Sequence, residues 1–249
     1  MKIFKYLIII SSLQVIIACV PAKEIAYFQQ IEEVAMSDTL INYDTKIKVG
    51  DLLTINVAAL DAEASLPFNI VESMSGGSVR ALPYLVNTVG ELSFPILGNI
   101  KVKGLTTKEL TDTLVVKLSK FIINPVVNIR LINFKITVLG EVKSPGTYTI
   151  PNERVSIIEA IGMAGDLTIQ GKRSNVLLVR EQQGKRVKIP IDLTNEQLLN
   201  SPYYYLVQND VIYIEPNKAK RNSSAVGANT GVILSSISTL ISIIAILTR

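Results

Sequence analysis

Apolar residues recur along this chain in two rhythms, every second position and every third or fourth, and the switches between them mark its elements. Leu53, Ile55 and Val57 alternate with Thr54 and Asn56 behind the turn pair Gly50-Asp51, the pattern of a half-buried strand. Residues 84–86 and 91–95 bracket a turn at 87–90, and 96–102 continue as strand or hairpin. The rhythm then changes. Thr106-Thr107-Lys108-Glu109 has the spacing of a capping box, with Leu105 and Leu110 placed as a hydrophobic staple. Leu110, Leu114, Leu118 and Phe121 keep one apolar helix face until Asn124-Pro125. Val127, Ile129 and Leu131 return to alternation.

The second half repeats this grammar. Ile136, Val138 and Gly140 lead into the turn Lys143-Ser144-Pro145-Gly146, and Tyr148 and Ile150 return from it. Ser156-Ile157-Ile158-Glu159 is a second capping box, with Gly165 as the stop. Residues 175–180 and 186–193 read as strands, and a last strand at 211–215 follows Asn209-Asp210. Gly50-Asp51-Leu52-Leu53-Thr54-Ile55 is echoed by Asn209-Asp210-Val211-Ile212-Tyr213-Ile214. Residues 61–81, with Ser75-Gly76-Gly77-Ser78, read as an irregular surface loop. The expected fold class is α+β: two small β-rich domains, 46–133 and 134–216, each with a short helix, followed by a C-terminal amphipathic transmembrane helix.

Both chain ends are apolar. Lys2 and Lys5 precede an uncharged run over residues 6–18, too short to span a bilayer and shaped as a secretory signal. It stops at Ile16-Ile17-Ala18-Cys19, which resembles a bacterial lipobox, so residues 1–18 read as a lipoprotein signal and Cys19 as the lipidated residue. The alternative is a free thiol inside a discarded signal. Residues 19–45 then form an N-terminal arm, and 217–229 a linker to a helix at 230–249. At about 100° per residue, Ser235, Ser238, Thr239 and Ser242 fall in one stripe of that helix, and Ile233, Ile237, Leu240 and Ile244 lie opposite. Two readings fit. A single tail anchor tolerates hydroxyls that bond back to their own helix. A ring of such helices would turn the apolar row to lipid and the hydroxyl row to a water-filled pore.

Composition removes most other chemistry. The 249 residues include no His, no Trp and one Cys, with 25 Lys+Arg against 21 Asp+Glu. Without histidine there is no Ser-His-Asp or Cys-His nucleophile and no imidazole-bound zinc. The mild charge and few aromatics speak against a nucleic-acid surface. Gly165, Gly171, Lys172 and Arg173 miss the spacing of a phosphate-binding loop. Glu72, Glu141, Glu159 and Asp166 are the carboxylates a glycosidase would need, but their positions suit turns, caps or solvent. Tyr203-Tyr204-Tyr205 could stack on sugars, although tyrosines in strands more often serve packing. No enzyme, metal or cofactor is expected.

Several motifs then fall in a familiar order. Ile47-Lys48-Val49-Gly50-Asp51-Leu52-Leu53-Thr54-Ile55, then Gly90-Glu91-Leu92-Ser93-Phe94-Pro95-Ile96-Leu97-Gly98 and Val102-Lys103-Gly104-Leu105-Thr106, resemble a polysaccharide export domain. Val138-Leu139-Gly140-Glu141-Val142 with Ser144-Pro145-Gly146-Thr147-Tyr148, and later Ile158-Glu159-Ala160, Ala164-Gly165 and Asn209-Asp210-Val211-Ile212, resemble an SLBB domain. The whole is similar to the outer-membrane polysaccharide exporters of the Wza type. That resemblance implies a lipid-anchored outer-membrane protein with its two β-rich domains in the periplasm. It further implies a homo-oligomeric ring (an octamer in the best-known member), a pore of C-terminal helices, and an inner-membrane polysaccharide co-polymerase as partner. The cargo would be a capsular or exopolysaccharide, and membrane lipid would surround the helices. One SLBB-like unit implies a short vestibule. The rival reading is a monotopic periplasmic lipoprotein that binds glycan or a partner and uses its last helix as a plain anchor.

Overall fold

A computed structural model describes residues 25–29, 45–74, 77–182, 184–225 and 230–247, and the account below concerns those residues. The fold is α+β, built of several small sheets and short helices. Strand β1 (Leu52–Ala58) lies between β4 (Tyr84–Leu85) and β7 (Val126–Leu131), antiparallel to both. The register sets Leu53 opposite Leu131, Ile55 opposite Ile129 and Val57 opposite Val127, so the two alternating rows predicted from sequence face the core together. Helix α2 (Thr107–Leu118) covers that sheet with Leu110, Leu114 and Leu118, all fully buried.

The Thr106/Glu109 capping box is present: Thr106 Oγ1 accepts from the Glu109 N–H, and the Glu109 carboxylate accepts from the Thr106 N–H. The helix ends earlier than its apolar spacing implies. Ser119 caps it, and Phe121 and Ile122 both donate their N–H to the Leu118 carbonyl, which turns the Phe121 ring out to 56% exposure. Residues 61–74 and 77–81 are more regular than the irregular loop expected from their composition. They hold the short helix α1 (Ala62–Ser65), a 3-10 turn (Leu66–Phe68) and the hairpin of β2 (Val71–Ser73) with β3 (Val79–Ala81). Strands β5 (Glu91–Phe94) and β6 (Gly98–Lys101) form another hairpin, turning through Ile96 at φ 65°.

The second unit is a five-stranded sheet in the order β11-β10-β12-β8-β9. Strands β8 (Lys135–Gly140) and β9 (Gly146–Thr149), and β10 (Gly171–Gln182) and β11 (Lys185–Ile191), are hairpins. Strand β12 (Val211–Pro216) returns to the middle, antiparallel to β10 and parallel to β8. Gly140, at φ 94°, closes the parallel pair; a Cβ there would lie 2.0 Å from the Ile214 carbonyl oxygen. Helix α3 (Ile157–Met163) starts at the second capping box, Ser156/Glu159. The 3-10 turn Glu196–Asn200 was not signalled by periodicity.

Only Ile132, Asn133 and Phe134 join the two units, and Phe134 is fully buried in a core cluster that draws on both. The segment read as a linker contains helix α4 (Lys218–Ala225). Helix α5 (Thr230–Leu247) follows, with every side chain described on it exposed. At 18 residues it is roughly 27 Å long, against about 30 Å for a typical hydrocarbon core. Among the described residues no helix is long and apolar enough to cross a membrane. The transmembrane helix expected at 230–249 is thus not found among the described residues.

Candidate functional site

Helix α5 carries the residues singled out for a pore. Ser235 Oγ donates to the Val232 carbonyl at 2.9 Å, Thr239 Oγ1 to Ser235 at 2.8 Å, and Ser242 Oγ to Ser238 at 2.9 Å. Ser236, off the stripe, does the same to Val232 at 2.7 Å. Each donor is thus satisfied inside the helix, while the oxygen lone pairs stay available to water or a sugar hydroxyl. Ile237, Leu240 and Ile244 on the other side are 49%, 59% and 56% exposed, an apolar row along the helix. The stripe is not purely polar: by the same helical angle Ile246, 75% exposed, projects into it near the C-terminal end. Ile233 lies outside the described side chains, and Cys19 outside the described residues.

The carboxylates weighed for hydrolysis all have structural work or lie apart. Glu159 caps α3. Glu141 accepts from Thr168 Oγ1 at 2.9 Å. Asp166 accepts from the Tyr27 hydroxyl at 2.5 Å and from the Leu167 N–H at 2.6 Å. Glu72 sits on the exposed β2–β3 hairpin. They do not converge on a cleft. Among the described residues no group of acidic, His or Cys side chains could hold a metal ion. The three tyrosines are engaged in packing: Tyr204 and Tyr205 meet edge to face at 5.0 Å, Arg154 lies 4.8 Å over Tyr205, and Arg180 lies 5.6 Å from Tyr203. Tyr204 and Tyr205 also border an open cavity of about 490 Å³ with Arg154, Glu153 and Glu159.

Three features escaped the sequence reading. Arg180 grips Asp210 with Nε at 3.1 Å from each carboxylate oxygen and Nη2 at 2.7 Å from Oδ2, both side chains buried. Burial pushes the Asp210 carboxyl up while Arg180 pulls it back. The turns behind the internal echo are alike in structure: Lys48 N–H donates to Asp51 Oδ2 at 2.7 Å, and Val207 N–H to Asp210 Oδ2 at 2.8 Å. Gly50 (φ 85°) and Asn209 (φ 67°) take the same left-handed place in them. Lys48 spans the two turns, its Nζ 3.5 Å from the Gln208 carbonyl; burial lowers its ammonium pKa against the pull of Asp210 and Asp51. Finally, the described part of the arm is pinned to the second unit. Phe28 and Gln29 donate to the Leu193 and Thr194 carbonyls, and Arg173 lies 5.4 Å from the Tyr27 ring. Burial and the bond to Asp166 raise the Tyr27 hydroxyl pKa.

Comparison with known proteins accounts for the order of these units. Residues 40–132 match the family described as polysaccharide biosynthesis/export protein, and residues 135–192 match the SLBB domain. Two relatives bear the name EPS I polysaccharide export outer membrane protein EpsA. The one from Ralstonia nicotianae is 29% identical over 144 residues, covering 56% of this chain and 37% of that protein. The one from Ralstonia solanacearum is 29% identical over 146 residues, covering 57% of this chain and 38% of that protein. The match therefore spans little over a third of the length of these curated relatives.

Proposed function

We propose that this chain, which matches an export domain over residues 40–132 and an SLBB domain over residues 135–192, is a Wza-type exporter that passes capsular or exopolysaccharide through the outer membrane. In this reading Cys19 is acylated and both β-rich domains face the periplasm. Copies assemble into a ring whose α5 helices close a pore, and an inner-membrane co-polymerase delivers the polymer. Helix α5 carries the proposal: an uncharged helix, exposed on every described side chain, with hydroxyls along one side and branched aliphatics along the other. Such a helix need not be apolar all round. Packed in a ring, it shows lipid only the Ile237, Leu240 and Ile244 row, and its roughly 27 Å suits a bacterial outer membrane, which is thinner than average. Hydroxyls without carboxylates would let a hydrated polymer slide, because bonds to sugar and water exchange easily. Exposed Leu66, Phe121, Ile123 and Val126 on the export domain offer apolar surface for neighbouring copies.

The plain anchor has its own support, since the hydroxyls already bond back to their own helix. Mass by light scattering in mild detergents separates the two readings. A closed ring for the full chain, loosened by truncation after Arg221, is the expected result. A monomer or dimer unaffected by truncation would refute the pore.

A further inference from the structure

We infer that the cleft between the start of β10 and the first turn of α4 is a binding site for the phosphate of an anionic membrane lipid. The cleft has a volume of about 240 Å³, and Lys172, Arg173, Ser174, Asn217, Lys218 and Arg221 line it. Four cationic residues line it, and no carboxylate is among the lining residues. The fold assembles them from two distant stretches. Gly171 pairs with Pro216 across β10 and β12, and the Asn217 N–H donates to the Gln170 carbonyl at 2.7 Å. Asn217 then opens α4, its Oδ1 accepting from the Lys220 N–H at 3.0 Å and its carbonyl from the Arg221 N–H at 3.1 Å. The positive end of the α4 dipole therefore stands at the rim beside Lys218.

Arg173 adds a buried cation at the cleft whose donors are incompletely met. It is 5% exposed, yet it makes no ion pair among the described residues. Nη1 reaches the Thr168 and Gly171 carbonyls, at 3.4 and 3.2 Å, and the guanidinium also lies 5.4 Å from the Tyr27 ring. Its buried Nε has no hydrogen-bond partner among the described residues. A buried guanidinium is costly unless an anion or a full set of acceptors meets it. Phosphate supplies both, and arginine binds it through paired N–H donors.

The path of the chain selects lipid over other phosphates. Arg221 is followed, nine positions on, by Thr230, the first residue of the uncharged α5. Cations at the foot of an apolar helix lie where headgroups lie. This choice rests on the reading that α5 enters the membrane, whereas the anion site itself stands on the cleft.

The test uses the full-length chain in a neutral detergent, with native mass spectrometry reading adducts of short-chain phosphatidylglycerol, short-chain phosphatidylcholine and inorganic phosphate. Phosphatidylglycerol should bind best. Lys172→Gln and Arg221→Gln should each weaken it about tenfold, the worth of one charge-assisted hydrogen bond. Arg186→Gln, on β11 outside the cleft, should change nothing. Equal binding of both lipids, or an equal loss in Arg186→Gln, would overturn the site. Inorganic phosphate displacing the lipid at equal concentration would overturn the lipid assignment. Flotation of an unacylated Cys19→Ser chain with phosphatidylcholine vesicles reads membrane entry of α5 separately. Flotation without a preference for phosphatidylglycerol sinks the site alone; the preference without flotation sinks the pore alone.

Discussion

Removing Arg180 should destabilise this protein more than any single surface change, and by an amount its surroundings define. The guanidinium makes three contacts with Asp210 at 3.1, 3.1 and 2.7 Å and a fourth with the Tyr205 carbonyl at 2.9 Å. Asp210 is wholly buried. In Arg180→Met the Asp210 carboxylate would retain only the Val207 N–H and the more distant charge of Lys48. Breaking one side of such a pair costs about 3–5 kcal/mol, most of it the burden of the uncompensated charge. For a chain of this length each kcal/mol moves the melting point by about 2–4 °C, so a fall of roughly 6–20 °C is expected. Arg180→Met with Asp210→Asn removes both charges and should recover much of the loss. With no tryptophan in the chain, near-ultraviolet circular dichroism of the tyrosines is the readout, and Tyr203 and Tyr205 beside the pair make it sensitive. A single-variant loss under about 1 kcal/mol, or a double variant whose losses simply add, would show that the pair does not anchor this end of the sheet.

Gly140→Ala should part β8 from β12, because its Cβ would strike the Ile214 carbonyl; hydrogen exchange across Val211–Pro216 should quicken, and an unchanged pattern would refute the close approach. Thr106→Ala and Ser156→Ala should each cost about 1 kcal/mol in thermal melts, nearly additively, and no loss at either would mean the caps are not limiting. Burial raises the Asp51 carboxyl above its ordinary 3.8, against the Lys48 N–H. A carboxyl so raised stabilises the fold below 3.8 and loses that contribution as pH climbs through its folded value. The stability advantage of wild type over Asp51→Asn should therefore be largest in acid and shrink toward neutrality, and a gap that widens with pH would refute the sign.

Local rules were the legible part. The alternation of Leu53, Ile55 and Val57, the two capping boxes and the Gly165 stop all depend on neighbours within a few residues, and each recurs in the structure. What stayed hidden is decided between distant segments. The parallel β8–β12 pair joins residues about 75 apart, and nothing local to either strand announces it. Arg180 read as one more polar strand position until β12 placed Asp210 opposite it. Helix α2 stopped at Leu118 because Ser119 and the two N–H groups folding back on Leu118 closed it before Asn124-Pro125 could. The cationic cleft was missed for the same reason: Lys172 and Arg221 lie far apart in sequence, and α4 occupied what composition had marked as linker.

The echo between the two halves has a mechanical meaning once Asn133 is considered. Its Nδ2 donates to the Gly50 carbonyl at 3.0 Å and its Oδ1 accepts from the Leu52 N–H at 2.9 Å, so its side chain clasps the first turn. Its backbone carbonyl accepts from Gln208 Nε2 at 2.7 Å, and Gln208 Oε1 accepts from the Lys135 N–H at 2.8 Å, so its main chain clasps the second. One residue at the join thus fastens two like turns, each stiffened by its own aspartate. Thr45 and Thr107 add bonds to Glu153 from the first unit to the second. A three-residue join held in this way leaves little room for the units to swing. The second turn opens β12, and β12 runs directly into α4 and then α5. The start of α4 is therefore tied to the same bonds that fix one domain on the other. In the proposed ring, small errors of tilt would multiply around the circle. Under the proposed function, a rigid clasp of this kind would help many copies of a marginally long helix to meet as one wall.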